Sequence, residues 1–181
     1  MLTGRPISRQ RAVTILGLDP GVADLGYGLI LKTGAQLEAR AYGSLQTLKG
    51  GAAAARLLKL ADGLEKLIKT HQPDLAVVES LFFAKNVTTG MAVSQARGVI
   101  LLILERAKVP ILELTPLQVK QGICGYGRAD KKQVQKMVQI LLKLKTVPKP
   151  DDAADALALA ICGTSWRMWP PEISKKLCQT K

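Results

Sequence analysis

An α/β domain with one mixed sheet flanked by helices is the fold this sequence predicts, on three observations. The first is a group of β-rich runs near the start, one of which alternates apolar and polar residues as an antiparallel strand with one wet face does. The second is "PDLAVVE", a short continuous apolar run of the buried, parallel kind. The third is the recurrence of leucine, isoleucine and valine at three- and four-residue spacing elsewhere, which supplies helices to cover the sheet. A chain of 181 residues fits one domain with a full core.

The elements follow in order. Val13 to Leu18 is the first strand, and it stops at Asp19, Pro20 and Gly21. "GYGLILK" and "QLEARAY" come next with Gly34 between them, and in the second of these Leu37, Ala39 and Ala41 alternate with Gln36, Glu38 and Arg40. These three strands form a meander. Leu57, Leu60, Leu64, Leu67 and Ile68 mark a helix, and "PDLAVVE" follows as a strand. Met91 to Lys108 reads as a helix whose second half, Val99 to Leu104, is apolar on nearly every face, so it is either buried or pressed against another subunit. "VPILEL" is a further strand. Thr115 and Pro116 are an N-cap and first-turn pair opening a helix through Lys120. Val134, Met137, Val138 and Leu141 mark another helix, and the last runs from about Asp152 to Cys162. The order is βββαβαβα with helices to the end of the domain, which spans residues 13–165. A basic arm (1–12, with Arg5, Arg9 and Arg11) precedes it, and a tail (166–181) follows.

Lysine and arginine outnumber aspartate and glutamate by 26 to 14, a formal charge of +12, which points to a polyanionic partner, either nucleic acid or an anionic membrane surface. Cys124, Cys162 and Cys178 form no paired spacing and read as reduced thiols in the cytoplasm. The longest apolar run, Val99 to Leu104, is far short of the roughly 20 residues that span a bilayer, so no membrane anchor is expected.

The chemistry-bearing residues are acids in awkward places. Asp19 and Glu79 each end an aliphatic strand, and the carboxyl ends of strands are where α/β sheets bind ligands. In "KPDDAADALALAI", Asp152 and Asp155 are three residues apart and share a helix face. Asp151 or Asp152 suits a helix cap, but Asp155 sits deeper, among alanines built for close packing, where a lone carboxylate is costly. If the sheet gathers the four acids, they repel one another unless a cation lies among them. Oxygen ligands alone select a hard ion, Mg²⁺ or Mn²⁺, and two such ions about 4 Å apart serve a phosphodiester displacement.

"ILGLDPG" with "GYG", "VVESLFFAKN", "SQARGV", "LTPLQVKQGICGYGRADKKQVQKMV" and "DDAADALALAI" resemble, in that order, the RuvC Holliday-junction resolvases over roughly residues 13–163. The resemblance implies a ribonuclease H-like fold, a homodimer, and Mg²⁺-dependent paired, symmetrical nicking of four-way DNA junctions in recombination and repair, with Mn²⁺ as a substitute and one or two ions per site. It implies Asp19, Glu79, Asp152 and Asp155 as metal-binding catalytic acids, Lys120 and Lys131 as phosphate neutralisers, and Phe82 as the ring that stacks on a base at the opened junction. It also implies association with a branch-migration helicase. Phe83 is left to the core. The chain departs from the family pattern at Val22 and Leu25, where serine and threonine are common. Two other readings are a protein that binds junctions without cutting them, and an actin-like or sugar-kinase phosphotransferase suggested by "DPGVADLGYG". The second of these requires a further domain that 181 residues do not hold.

Overall fold

The structure, a computed structural model, describes residues 12–21, 24–47, 51–80 and 87–165. The arm up to Arg11, Val22, Phe82, Phe83 and the tail from Trp166 lie outside the described residues. Strands β1 (Val13–Pro20), β2 (Asp24–Thr33) and β3 (Gln36–Gln46) form the antiparallel meander. Strands β4 (Leu75–Glu79) and β5 (Ile111–Leu114) extend the sheet in parallel beside β1, so the order is β3-β2-β1-β4-β5. This is the mixed five-stranded sheet that the sequence predicts, and it agrees with the ribonuclease H-like fold that the resemblance implies.

Helices α1 (Ala53–His71) and α2 (Val87–Arg106) cover one face, and α3 (Pro116–Cys124), α4 (Lys131–Leu141) and α5 (Asp151–Cys162) the other. Strand side chains alternate between faces, so the central strands divide cleanly between two cores. Leu16 and Leu18 of β1 and Ala76 and Val78 of β4 pack with α1 and α2, whereas Ile15, Leu75 and Val77 pack with α3, α4 and α5. The same period places Gly17 and Asp19 on the α5 face of β1, and Glu79 on that face of β4.

Several boundaries differ from the sequence expectation. Helix α2 begins about a turn earlier than Met91. Helix α3 continues past Lys120 to Cys124, where Gly125 adopts φ +80° and stops it, while Thr115 caps its start through a reciprocal capping box with Gln118. Pro150, and neither Asp151 nor Asp152, is the N-cap of α5, and no side chain caps that helix. The apolar stretch of α2 is not uniformly outward. Ile100, Ile103 and Leu104 are buried against the sheet, and the outward residue is Leu102, 59% exposed. Among the described residues, no helix is long and apolar enough to cross a membrane.

Candidate metal centre

The site is assembled by one close helix-to-sheet contact. Gly17 pairs with Gly28 and Asp19 with Gly26 across β1 and β2, which leaves a strip without side chains beside Asp19. Helix α5 lies in that strip. A Cβ on Gly17 would overlap the Ala156 carbonyl oxygen and stand 2.7 Å from the Ala160 nitrogen. One on Gly26 would stand 2.7 Å from the Asp152 carbonyl carbon and 2.9 Å from its Cβ. The alanines of α5 complete the fit, since Ala153, Ala154, Ala156, Ala158 and Ala160 are all buried. The first turn of α5 is thereby held against the end of β1.

Asp19, Asp152 and Asp155 meet there, with one carboxylate oxygen from each within 4.8 Å of the others. Glu79 is not one of these three, but its charge reaches Asp19 from the neighbouring strand. The β1–β4 register runs through Leu18 and Val78, so Asp19 and Glu79 are the next residues on adjacent strands. Burial, then the charges of Glu79, Asp155 and Asp152, push the Asp19 carboxyl up to about 7, against the opposing pull of Lys131. Burial and then Asp155 raise Glu79. Asp152 is raised by burial and by Asp24, with Lys131 opposing.

Two cations answer these acids. Lys131, the first residue of α4, places Nζ 3.0 Å from Asp155 and 3.7 Å from Asp151. Its partial burial works against its charge, but the hydrogen bond to Asp155 and the charges of Asp155, Asp151 and Asp152 hold the ammonium above its ordinary value. The start of α4 is itself fixed, because Asp130 and Gln133 form a capping box. Lys120 enters from α3. With Glu79, Pro116, Val119, Lys131, Val134 and Asp155 it lines a cavity of about 200 Å³ that opens beside the acids.

Of the residues singled out in the sequence, Asp19, Glu79, Asp152, Asp155, Lys120 and Lys131 thus lie in one region, and Phe82 lies outside the described residues. Sequence reasoning took Asp151 only as a candidate helix cap, whereas Lys149 holds it at 3.0 Å with its carboxyl below the usual range, and it missed Asp24, whose charge reaches Asp152. It also missed why Gly17 and Gly26 are glycines, although their spacing about Asp19 was in plain view. The donor set, carboxylate oxygens with no histidine or cysteine among them, fits a hard divalent ion.

The family model described as crossover junction endodeoxyribonuclease RuvC matches residues 15–163. The chain is 52% identical over 153 residues to the crossover junction endodeoxyribonuclease RuvC of Brevibacillus brevis, covering 84% of this chain and 92% of that one. It is likewise 52% identical to that of Heliobacterium modesticaldum, covering 87% and 97%. Its fold is similar to that of Thermus thermophilus RuvC in complex with a Holliday junction substrate, with a TM-score of 0.80, 29% identity, and coverage of 86% and 95%. A yeast mitochondrial Holliday junction resolvase, 14% identical with a TM-score of 0.61 and coverage of 93% and 81%, shares the fold.

Proposed function

Because the chain belongs to the RuvC family of crossover junction endodeoxyribonucleases, we propose that it is a metal-dependent endonuclease that resolves four-way DNA junctions by paired nicks. The observation that carries this reading is the convergence of Asp19, Asp152 and Asp155 on one point, with Glu79 on the adjacent strand. We propose that these four acids hold Mg²⁺, or Mn²⁺ in its place. Bound there, such an ion supplies Lewis acidity, which generates a nucleophile from water near neutral pH and offsets charge on the phosphate.

The chain's own residues do the rest. Asp19 is anchored on the central strand and Asp152 and Asp155 on a helix that cannot slide, so the donor oxygens are placed before substrate arrives. Lys120 and Lys131 line the adjoining cavity, where they balance phosphate charge. The excess of 26 basic over 14 acidic residues favours the DNA backbone at large. Phe82 is proposed, on the family pattern alone, to stack on an unpaired base, a contact worth about 1 to 3 kcal/mol. A homodimer supplies two such centres, one for each nick. The free thiols of Cys124 and Cys162 suit a reducing cytoplasm.

A synthetic four-way junction with Mg²⁺ tests the reading. Wild type should give paired nicks, and Asp19→Asn, Glu79→Gln, Asp152→Asn and Asp155→Asn should each abolish nicking with junction binding near normal. A gel shift without nicking in wild type would leave a binding protein instead. Phe82→Ala should impair cleavage more than binding, and equal losses would return that ring to the core.

A further inference from the structure

We propose that Lys131 is an internal counter-ion of the acid cluster, which divalent metal must displace and DNA phosphate draws away, so that metal and junction load the site together. The inference rests on the reading of the cluster as a metal centre and concerns how that centre is kept before substrate arrives.

The geometry is specific. Asp155 is one of the three carboxylates that converge within 4.8 Å, and Lys131 Nζ already holds it at 3.0 Å. Two cations cannot share one carboxylate oxygen set without mutual repulsion, so metal entry requires the ammonium to leave Asp155. Lys131 has somewhere to go. Asp151 stands 3.7 Å from the same nitrogen, outside the converging three, and Asp151 is in turn held by Lys149. The side chain is 52% exposed, so it swings without disturbing the capped backbone at its base. Its other surroundings are the cavity shared with Lys120. A phosphate entering that cavity offers Lys131 a second anion, and once the ammonium has turned to the phosphate Asp155 is released for metal. By linkage, each ligand then raises the affinity of the other by the same factor.

Calorimetric titration of the free protein with Ca²⁺ alone tests this directly, without any cleavage readout. Lys131→Met should bind Ca²⁺ about three- to tenfold more tightly than wild type, the range expected for breaking a partly exposed ion pair and removing a like charge. Lys149→Met removes equal charge from Asp151 without touching the converging acids and should stay within about twofold. With an uncut four-way junction present, wild type should gain Ca²⁺ affinity by a factor that Lys131→Met largely lacks. Equal or weaker Ca²⁺ binding in Lys131→Met without DNA, or the same junction-induced gain in both proteins, would overturn the proposal. Failure of the nuclease reading is a separate result, namely no nicking by wild type with Mg²⁺.

Discussion

Helices α5 and α2 lie on opposite faces of the same sheet and pack on it in opposite ways. Helix α5 meets the sheet backbone through glycine and alanine, and every residue from Ala156 to Cys162 is buried. Helix α2 stands off on larger side chains, with Ile100, Ile103 and Leu104 inward and Met91 and Leu102 61% and 59% exposed. The close contact leaves no slack, and the acids are attached to it. The looser one leaves apolar surface unspent. Precision is concentrated where the carboxylates are carried, whereas the opposite face keeps Met91 and Leu102 exposed among the described residues.

The first two ways to break this comparison act on the close face. Gly17→Ala has the largest expected effect, because its methyl group meets the α5 backbone, which cannot turn aside as a side chain can. A loss of at least about 3 kcal/mol is expected, read as a collapse of the unfolding midpoint in urea. Gly26→Ala meets α5 backbone too, but it overlaps the Asp152 carbonyl oxygen less closely than Gly17→Ala overlaps that of Ala156, and only in the first turn of the helix, so it should be milder for stability and severe for chemistry. Its methyl group presses on Asp152, and a displacement of that carboxylate should cost about a hundredfold in cleavage, or about 2.7 kcal/mol, with junction affinity retained. Full activity in that variant would show that α5 tolerates more play than its packing suggests.

A smaller effect follows from the charge gathered at the end of the close face. Asp19 is raised from 3.8 to about 7 in the folded chain. Between those values the folded state binds more protons than the unfolded state, so unfolding free energy falls as pH rises across that window. Metal-free protein should therefore melt about 5 °C lower at pH 8 than at pH 5, an effect of about 2 kcal/mol once relaxation of the cluster is allowed for. Asp19→Asn should lose most of the difference, and added Mg²⁺ should restore stability at pH 8. A flat or rising melting curve in wild type would show that the acids are less confined than their burial implies.

These effects separate what the sequence disclosed from what it hid. The succession of strands along the chain and both strand-end acids were legible, because Asp19 and Glu79 each end an aliphatic run, and the carboxyl ends of strands are where α/β sheets bind ligands. Asp155 was legible as an acid misplaced among alanines. The glycines were visible but mute, since a strand glycine signals close approach without saying what approaches. The cap of α5 was misread because Asp151 and Asp152 both satisfy the preference for acids in a first turn, and only the arrival of Lys149 and Lys131 shows that Asp151 is drawn sideways. The Lys149 pair lies two residues away in the sequence, but the Lys131 pair joins segments twenty residues apart and leaves no local pattern.

The smallest expected effect tests the other face. On sequence alone Ile103 and Leu102 are equivalent members of one apolar run, but Ile103 is 4% exposed and belongs to the core with Leu64 and Val78, so a charge there would test folding rather than association. Leu102 points away. A monomer gains little from leaving that leucine in water, and a second copy meeting it across a two-fold axis would bury it twice, at about 1.5 to 3 kcal/mol for each side chain fully covered. Leu102→Glu should therefore shift association to higher concentration by one to two orders of magnitude, about 1.4 to 2.8 kcal/mol, without lowering the melting temperature of the monomer. The two nicks in one junction should then come apart in time, because each centre would have to arrive separately. Light scattering that finds wild type monomeric at micromolar concentration, with paired nicking intact, would remove the purpose of the looser face. Unchanged association in Leu102→Glu would move the interface elsewhere on the molecule.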